Sequence, residues 1–214
     1  MDGKLRKRDY SLNKLKEKIY LISPLKIRSN FIKDFKKVVL SNKIKFFQVR
    51  FKNLSQKKIV SFVKKIQHTI KNKNIKLIIN DSYLIAKKVG ADGCHLGQKD
   101  GSLKKARREL KKKIIGITCH NSKKFINKAI IEDADYIAIG SFFKSKLKPK
   151  AIRANLSTLR WARKKTRKPI VAIGGINNKN YKKILNNGAN YIAISSFIWN
   201  NPSLKPWEAI KKFK

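Results

Sequence analysis

The feature that most constrains the fold is a succession of eight short apolar runs along the whole chain. Each run is rich in β-branched or aromatic residues and is almost continuously apolar, without polar–apolar alternation. This pattern is typical of parallel strands that are covered on both faces. The runs are Ile19–Ser23, Phe46–Arg50, Leu77–Asn80, Gly93–Leu96, Ile114–Thr118, Tyr136–Ile139, Ile170–Ile173 and Tyr191–Ile194.

The segments between these runs have helical periodicity. They include Phe31–Leu40, Ser55–Ile70, Ser102–Leu110, Lys123–Glu132, Leu156–Lys165 and Asn180–Asn187. Residues suited to cap a helix N-terminus precede or open several of them, namely Ser55, Asp81, Ser102, Asn121 and Asn178. Eight strands alternating with helices in 214 residues predict an α/β fold, a single (β/α)8 TIM barrel, with a doubly wound sheet as the alternative.

Short repeated segments support a repeating strand–helix unit. Gly90-Ala91-Asp92-Gly93 and Gly188-Ala189-Asn190 each close a predicted helix and open a strand, and Asp133-Ala134-Asp135 is a weaker third copy. Glycine at such a position permits the left-handed conformation that ends many helices. We expect residues 18–214 to form the barrel and residues 1–17 to form a basic N-terminal extension.

The composition gives weaker guidance on partners. The formal net charge is +42, which suggests a polyanion partner, but the lysines are spread over every predicted helix and form no stripe. We therefore expect nucleic-acid binding to be at most weak and non-specific. No apolar run is long enough to cross a membrane. Cys94 and Cys119 have no metal-binding spacing, so we interpret them as reduced thiols of a cytoplasmic protein.

Two pairs of polar residues follow the third and fourth apolar runs. Asn80 and Asp81 follow the third run, and Gln98 and Asp100 follow the fourth. In parallel strands these groups project from the same edge, where two carboxylates suit a hard cation such as Mg²⁺. The alternatives are that Asp81 caps the next helix and that Asp100 is a turn residue before a glycine.

Other strand ends carry groups suited to anions or protons. Gln48, Arg50 and Lys52 share one face of the second run, and arginine and lysine together favour an anion site. Thr118 and His120 are expected to share a face after the fifth run, where His120 could carry a proton. The pattern alone favours a hydrogen-bonded core position for His95, within the fourth run.

The ends of the seventh and eighth runs predict a phosphate site. Gly174 and Gly175 follow the seventh run, and Ser195 and Ser196 follow the eighth. The loops after these two strands commonly bind phosphate in TIM barrels, through backbone amides and a helix N-terminus. The long loop after the sixth run carries Lys144, Ser145, Lys146 and Lys148, and long loops of this kind in barrels are often functional lids.

These motifs together identify a family resemblance. The sequence resembles the thiamine phosphate synthase family, which is related to the thiazole tautomerase family, over almost all of the chain from Tyr20 to Trp199. The matching pieces are YLISP (20–24), FQVRFK (47–52), IINDSYLIAKKVGADGCHLGQKD (78–100), IIGITCH (114–120), DYIAIGSFF (135–143), VAIGGINNKN (171–180) and GANYIAISSFI (188–198).

The resemblance implies that the protein is a transferase. It would join a hydroxymethylpyrimidine diphosphate to a thiazole phosphate, releasing pyrophosphate by a dissociative mechanism, with Mg²⁺ as cofactor and a homodimer as one expected assembly. The residues that match pyrophosphate and pyrimidine positions are Gln48, Arg50, Lys52, Asn80, Thr118, Ser145 and Lys148. We add His95 and Gln98 as candidate substrate-binding residues and His120 as a candidate catalytic residue. Asp81 and Asp100 match metal ligands, and Gly174, Gly175, Ser195 and Ser196 match the thiazole phosphate site.

The loop after the sixth run departs from the family pattern. Leu147 replaces a hydroxyl residue, and loss of one hydrogen bond to a charged group costs about 1.5–3 kcal/mol. One alternative is a thiazole tautomerase, which would bind only the thiazole phosphate and use His120 as acid and base. It would not need Arg50, Asp81 and Asp100. The other alternative is a barrel without this activity, which binds nucleic acid through its basic surface.

Overall fold

The computed structural model describes residues 18–51, 54–144 and 152–214. Eight parallel strands pair in sequence order and close when β1 pairs with β8. The strands are β1 Ile19–Ile22, β2 Ile44–Val49, β3 Lys76–Asn80, β4 Gly93–Leu96, β5 Ile114–His120, β6 Tyr136–Gly140, β7 Ile170–Ile173 and β8 Tyr191–Ile194. The predicted TIM barrel is confirmed, and the closed strand order excludes the doubly wound alternative.

Helices follow the strands around the outside of the barrel. In the described residues they are α1 Phe31–Val39, α2 Gln56–Lys71, α3 Tyr83–Lys88, α4 Leu103–Leu110, α5 Lys123–Ile131, α6 Leu156–Lys165, α7 Tyr181–Leu185, α8 Ser196–Trp199 and α9 Pro206–Lys211. None of the helices in these ranges is both long enough and apolar enough to cross a bilayer.

Some of the predicted caps are wrong. Ser55 and Ser102 cap α2 and α4 as expected, since each hydroxyl accepts a hydrogen bond from a first-turn backbone N–H. The caps of α3 and α5 are Ser82 and Ser122, one residue later than the predicted Asp81 and Asn121. Asn180, and not Asn178, precedes α7. At α3 and α5 the sequence offers two adjacent polar residues, and the second of them is the cap.

Two apolar layers hold the barrel together. The larger layer lies between the strands and the helices, and it includes Phe35, Phe47, Ile115 and both cysteines. Burial raises the pKa of the Cys94 and Cys119 thiols to about 12, so both stay protonated at neutral pH. The smaller layer fills the barrel interior with Tyr20, Ile22, Phe46, Ile78, Tyr136, Ala138, Val171 and Ala193.

The repeated segments form equivalent contacts at the N-terminal rim of the barrel. Asp92, Asp135 and Asn190 each accept a hydrogen bond from the backbone N–H of the strand before their own, at Leu77, Ile115 and Ile170. The distances are 2.8, 2.7 and 2.9 Å. Each carboxylate or amide thus satisfies a backbone donor that would otherwise remain unpaired at a strand start. The repeat found in the sequence is therefore structural.

Candidate active site

The C-terminal rim brings the two predicted metal ligands onto neighbouring strand ends. Asp81 follows β3 directly, and its backbone N–H donates to the His95 carbonyl of β4 at 2.8 Å. Its φ angle of 65° lies in the left-handed region, which aspartate adopts more readily than most residues other than glycine. Asp100 follows the turn after β4, where its Oδ2 accepts a hydrogen bond from the Gly97 N–H at 2.7 Å.

The structure weakens the purely structural interpretation of Asp81. The Ser82 hydroxyl accepts from the Ile85 N–H at 3.2 Å, so α3 does not depend on the Asp81 carboxylate as a cap. For Asp100 the turn interpretation holds for one carboxylate oxygen, Oδ2. Both side chains are half-buried at the barrel mouth.

This donor set fits Mg²⁺ better than a transition metal. In the described part of the chain, no three His, Cys, Asp or Glu side chains come together as a metal cluster. Magnesium does not require such a cluster, because one or two carboxylates complete its octahedron together with waters and substrate phosphate oxygens. Asp81 and Asp100 are two carboxylates of that kind, with Asn80 and Gln98 beside them in the chain.

Ser23 holds the end of β2, where Arg50 lies. The Arg50 N–H donates to the Ser23 hydroxyl at 2.9 Å, and the Ser23 N–H donates to the Gln48 carbonyl at 2.9 Å. The Ser195 hydroxyl donates to the Ser23 carbonyl at 3.1 Å. Ser23 therefore connects the Arg50 strand end with the end of β8. Lys52 lies outside the described residues.

A chain of hydrogen-bonded side chains crosses the barrel interior below this rim. Gln48 Nε2 lies 3.0 Å from the Tyr20 hydroxyl, which lies 2.7 Å from the Tyr136 hydroxyl. The Tyr136 hydroxyl lies 2.9 Å from His95 Nδ1, and His95 Nε2 lies 2.8 Å from the Thr118 hydroxyl. Protein groups thus engage both ring nitrogens of His95, and its contact with a substrate stays a prediction.

Burial sets the protonation of this chain. It lowers the pKa of His95 to about 4, with a smaller opposing effect from the Asp100 charge. Burial also raises the pKa values of Tyr20 and Tyr136 above the usual value. At neutral pH all three groups are therefore uncharged, and the chain consists of neutral hydrogen bonds.

His120 does not share a face with Thr118, so that expectation is wrong. A register shift between these two residues pairs Thr118 with Ala138, which faces the barrel interior, and pairs His120 with Ile139, which faces the helices. The His120 ring centroid accordingly lies 6.4 Å from that of Phe125 on α5. Strict alternation predicted otherwise because an inserted residue cannot be seen in the sequence pattern. Gln98 Nε2 donates to the Thr118 carbonyl and links the neighbouring strand ends.

The ends of β6 and β7 pack so closely that Gly174 and Gly175 cannot carry side chains. Their φ angles are +107° and +62°, and a Cβ atom would lie 2.0 Å from the Ser141 hydroxyl and 2.6 Å from the Lys144 carbonyl, respectively. Such glycines let the backbone itself line a site, where amides can bind phosphate. The neighbouring strand end supplies Ser195 and Ser196, both half-buried, so the structure brings the four predicted residues together. Ser145 and Lys148, together with Leu147, lie outside the described residues.

Sequence reasoning missed three residues that organise the rim: Ser23, Tyr20 and Tyr136. The hydroxyls of the two tyrosines interrupt otherwise apolar strands, and Gly116 lies opposite Tyr136 in the strand pairing. A Cβ atom at Gly116 would lie 1.9 Å from the Tyr136 ring, so this glycine provides the space for the ring. A tyrosine paired with a glycine was the available signal. Ser23 had none, because a serine before a proline predicts only a strand end.

Comparisons with known proteins identify the family of this chain. The family model described as thiamine monophosphate synthase matches residues 19–198. A thiamine-phosphate synthase of Pelagibacter ubique is 52% identical over 204 residues, covering 94% of this chain and 99% of its own. The enzyme of the same name from Erythrobacter litoralis is 36% identical over 187 residues, covering 85% and 88%.

A solved structure of a similarly named enzyme has the same fold. The thiamine phosphate pyrophosphorylase of Pyrococcus furiosus superposes with a TM-score of 0.82 at 26% identity, covering 92% of this chain and 94% of its own. The family match spans every strand of the barrel and the rim residues Arg50, Asp81 and Asp100. The chain therefore belongs to the thiamine monophosphate synthase family.

Proposed function

We propose that the protein catalyses the reaction of this family, the transfer of a pyrimidine methylene group from its diphosphate to a thiazole phosphate. The products are thiamine phosphate and pyrophosphate. Both substrates are small phosphorylated molecules, which agrees with the relatives named thiamine-phosphate synthase. The formal net charge of +42 favours the approach of such anions.

The observation that carries this proposal is the arrangement of the rim. Two carboxylates and Arg50 lie at the ends of β2 to β4, and a glycine- and serine-lined strand end lies across the mouth at β7 and β8. One region suits a metal-bound diphosphate, and the other suits a simple phosphate. A reaction between two phosphorylated substrates requires both regions at one mouth.

The side chains have separable tasks in this proposal. Arg50 offers a guanidinium fork to the diphosphate, and its backbone is fixed by Ser23. Thr118 offers a hydroxyl next to the departing pyrophosphate, on which negative charge develops as the bond to the methylene carbon breaks. Gly174, Gly175, Ser195 and Ser196 hold the thiazole phosphate and so orient the ring nitrogen that attacks. Lys52, Ser145 and Lys148 are proposed to act on the pyrophosphate from outside the described residues.

Asp81 and Asp100 would hold Mg²⁺. When bound, the ion would supply positive charge to the diphosphate oxygens and so favour departure of pyrophosphate. Asp100 can contribute Oδ1 while Oδ2 maintains its turn. No side-chain nucleophile is required, because the thiazole nitrogen attacks the carbon directly.

The position of His120 argues against the tautomerase alternative. That reaction needs an acid and base beside the thiazole, whereas His120 pairs with a strand position that faces the helices. The carboxylates at the ends of β3 and β4 would also have no task in it. The family match makes a nucleic-acid-binding role secondary, and any such binding is expected to be weak and non-specific.

The test is pyrophosphate release by the purified protein with both substrates and Mg²⁺. We expect release to require all three components and to fall at least about 100-fold in Asp81→Asn and Asp100→Asn. The matched control is Asp92→Asn at the opposite rim. Asn190 already performs the equivalent backbone contact there, so the asparagine is compatible with the fold.

The outcomes separate the candidate functions. Full release by Asp81→Asn and Asp100→Asn would contradict the proposed metal site, and equal loss in Asp92→Asn would indicate a general effect on folding. Absence of release, with thiazole phosphate still bound, would favour a protein that retains only the phosphate site at β7 and β8. In that case isomerisation of the thiazole phosphate is the next activity to measure.

A further inference from the structure

The polar chain through the barrel interior has a direction, which follows from counting hydrogen-bond donors. TIM barrel interiors are usually filled by Val, Ile and Leu. Five polar side chains joined one to the next by hydrogen bonds are therefore energetically costly to bury there. Each member is half-buried or fully buried. A buried chain of this kind is stable only when every hydrogen has an acceptor.

The direction begins at Gln48, which is 3% exposed. Its Nε2 group carries hydrogens and no lone pair, so it donates to the Tyr20 hydroxyl oxygen at 3.0 Å. Among the described residues, the one other polar partner of that hydroxyl is the Tyr136 hydroxyl at 2.7 Å. The single hydrogen of Tyr20 must therefore point to Tyr136.

The same argument extends to His95. The Tyr136 hydroxyl accepts from Tyr20, so its own hydrogen can go only to His95 Nδ1, at 2.9 Å. Nδ1 is then an acceptor without a hydrogen, and the neutral ring carries its hydrogen on Nε2. Geometry and donor count alone lead to this tautomer. The two rings are nearly parallel, with centroids 5.5 Å apart, which limits rotation of the imidazole.

The chain ends at the active-site rim. His95 Nε2–H donates to the Thr118 hydroxyl oxygen at 2.8 Å. The Thr118 hydrogen is left without a partner among the described residues, and this side chain is half-buried at the end of β5. Thr118 is thus held as a hydrogen-bond donor to whatever occupies the mouth. A neutral donor aimed in advance suits an oxygen that becomes more negative during reaction.

We propose that Tyr20 and Tyr136 are positioning residues, which hold His95 in the Nε2–H tautomer and thereby keep the Thr118 hydroxyl aimed as a donor at the departing pyrophosphate. This inference rests on the proposed function for the identity of the acceptor. The tautomer itself follows from the hydrogen-bond chain without it. Neither tyrosine needs to touch a substrate.

The alternative tautomer would reverse the effect at Thr118. If His95 carried its hydrogen on Nδ1, Nε2 would accept from the Thr118 hydroxyl and turn its hydrogen away from the mouth. Removal of the Tyr136 hydroxyl would allow this state, because Nδ1 would lose the donor that keeps it unprotonated. The Thr118 hydroxyl would then donate to His95 and would no longer be available to a ligand.

The test combines NMR with kinetics. The chain has three histidines, so ¹⁵N-histidine labelling of the full-length protein gives a spectrum of three imidazoles, which His95→Gln assigns. We expect the Nε2–H tautomer for His95 in the wild type and in Tyr20→Phe, and a loss of that preference in Tyr136→Phe. The matched control is Tyr181→Phe, which removes a buried tyrosine hydroxyl bonded to the Lys214 carbonyl outside the barrel.

The rate of pyrophosphate release should change in parallel with the tautomer of His95. In Tyr136→Phe we expect kcat for pyrophosphate release to fall about tenfold, with a smaller fall in Tyr20→Phe and none in Tyr181→Phe. Thr118→Val should lose at least as much as Tyr136→Phe, and Thr118→Ser should retain activity. Adding Tyr136→Phe to Thr118→Val should cost little more, because both changes remove the same donor.

Several results would overturn the inference. A wild-type His95 in the Nδ1–H tautomer would do so even if Tyr136→Phe failed to fold. Additive losses in the double variant would assign Tyr136 a merely structural role. A wild-type protein with the expected tautomer but without pyrophosphate release would contradict the proposed function, and it would leave the hydrogen-bond chain supported.

Discussion

The two rims of the barrel use similar side chains in opposite ways, and the arginines show the difference best. At the N-terminal rim, the Arg107 guanidinium donates to the Lys111, Lys113 and Asp133 carbonyls and to Asp135 Oδ2, the last at 2.6 Å. At the C-terminal rim, the Arg50 side chain is half-buried and makes no hydrogen bond within the described ranges. Only its backbone is fixed, by Ser23.

The carboxylates follow the same division. Asp92 and Asp135 satisfy backbone N–H groups at strand starts, whereas the cap that Asp81 could have formed is supplied by Ser82. Polar groups at the N-terminal rim complete the fold, and we expect several of those at the C-terminal rim to bind a ligand. This is the usual division of labour in TIM barrels, and here it can be tested residue by residue.

The largest contrast is expected between two arginine truncations. Arg50→Ala should reduce kcat/KM by about 100- to 1000-fold, because it removes the cation that is proposed to bind the developing pyrophosphate. The free energy of unfolding should change by less than about 1 kcal/mol, since no described hydrogen bond of its side chain is lost. Pyrophosphate release and urea unfolding would be measured on the same preparation.

Arg107→Ala is the control for this experiment. It should lower the free energy of unfolding by about 2 kcal/mol, because four carbonyl and carboxylate acceptors lose a shared donor. Its kcat/KM per folded molecule should equal that of the wild type. Comparable catalytic losses in the two variants would erase the distinction between the rims.

A second prediction concerns His95, which lies near the C-terminal rim. Its protonation should make the free energy of unfolding depend on pH. Its pKa is about 4 in the folded protein and about 6.5 when unfolded. Between these values the unfolded chain binds a proton that the folded chain does not, so the free energy of unfolding decreases as pH falls. The free energy of unfolding should change by about 1.4 kcal/mol per pH unit between the two pKa values. Above pH 6.5 the whole stabilising contribution of the neutral histidine is present.

Urea unfolding of the wild type and of His95→Gln between pH 4 and 7 would measure this contribution. Other groups titrate in both proteins, so the difference in slope isolates the histidine. Parallel slopes would mean that the pKa of His95 is the same in the folded and the unfolded protein, so that burial does not lower it.

A third prediction tests the repeated contacts of the N-terminal rim. Asp135→Ala should lower the free energy of unfolding by about 1–3 kcal/mol, since the Ile115 N–H loses its acceptor. Asp135→Asn should be much closer to the wild type, because Asn190 makes the equivalent contact with an amide oxygen at 2.9 Å. Thermal unfolding of the two variants would measure this difference in stability, and kcat/KM should be unchanged in both. An equally unstable Asp135→Asn would show that the ion pair with Arg107 carries the effect.

The barrel itself was predictable from the sequence because its strands are short continuous apolar runs with helices between them. Six of the eight predicted strands start at the residue where the structure starts them, and β2 and β3 begin earlier, at Ile44 and Lys76. The candidate rim was predictable for the same reason, since polar residues that follow parallel strands must meet at one edge. Position in the chain thus determined Asn80, Asp81, Gly174 and Ser195 as rim residues.

The contacts that orient the rim were not predictable, because they depend on which face each strand residue takes. The bulge at Cys119 turned His120 away from Thr118, and no residue pattern marks it. The chain from Gln48 to Thr118 joins five strands that are distant in sequence, so it exists only after closure of the barrel. Two predicted helix caps were off by one residue, so that Ser82 and not Asp81 caps α3.

The smallest expected effect tests whether that one-residue shift matters for the site. Ser82→Ala removes the cap of α3, which accepts from the Ile85 N–H at 3.2 Å, and should cost about 1 kcal/mol of stability. Because Asp81 immediately precedes this cap in a left-handed turn, loosening the turn should also displace its carboxylate. We expect the Mg²⁺ concentration for half-maximal activity to rise a few-fold, less than the about 10–100-fold effect of losing a direct partner of a metal ligand.

Ser122→Ala is the matched comparison, because Ser122 caps α5 in the same way at 3.3 Å and is not adjacent to either proposed metal ligand. It should cost the same stability and leave the Mg²⁺ requirement unchanged. A titration of Mg²⁺ in both variants, at substrate concentrations that saturate the wild type, separates the two effects. If both variants shift equally, the metal requirement reflects overall stability. If only Ser82→Ala shifts, the cap of α3 also fixes where the Asp81 carboxylate points.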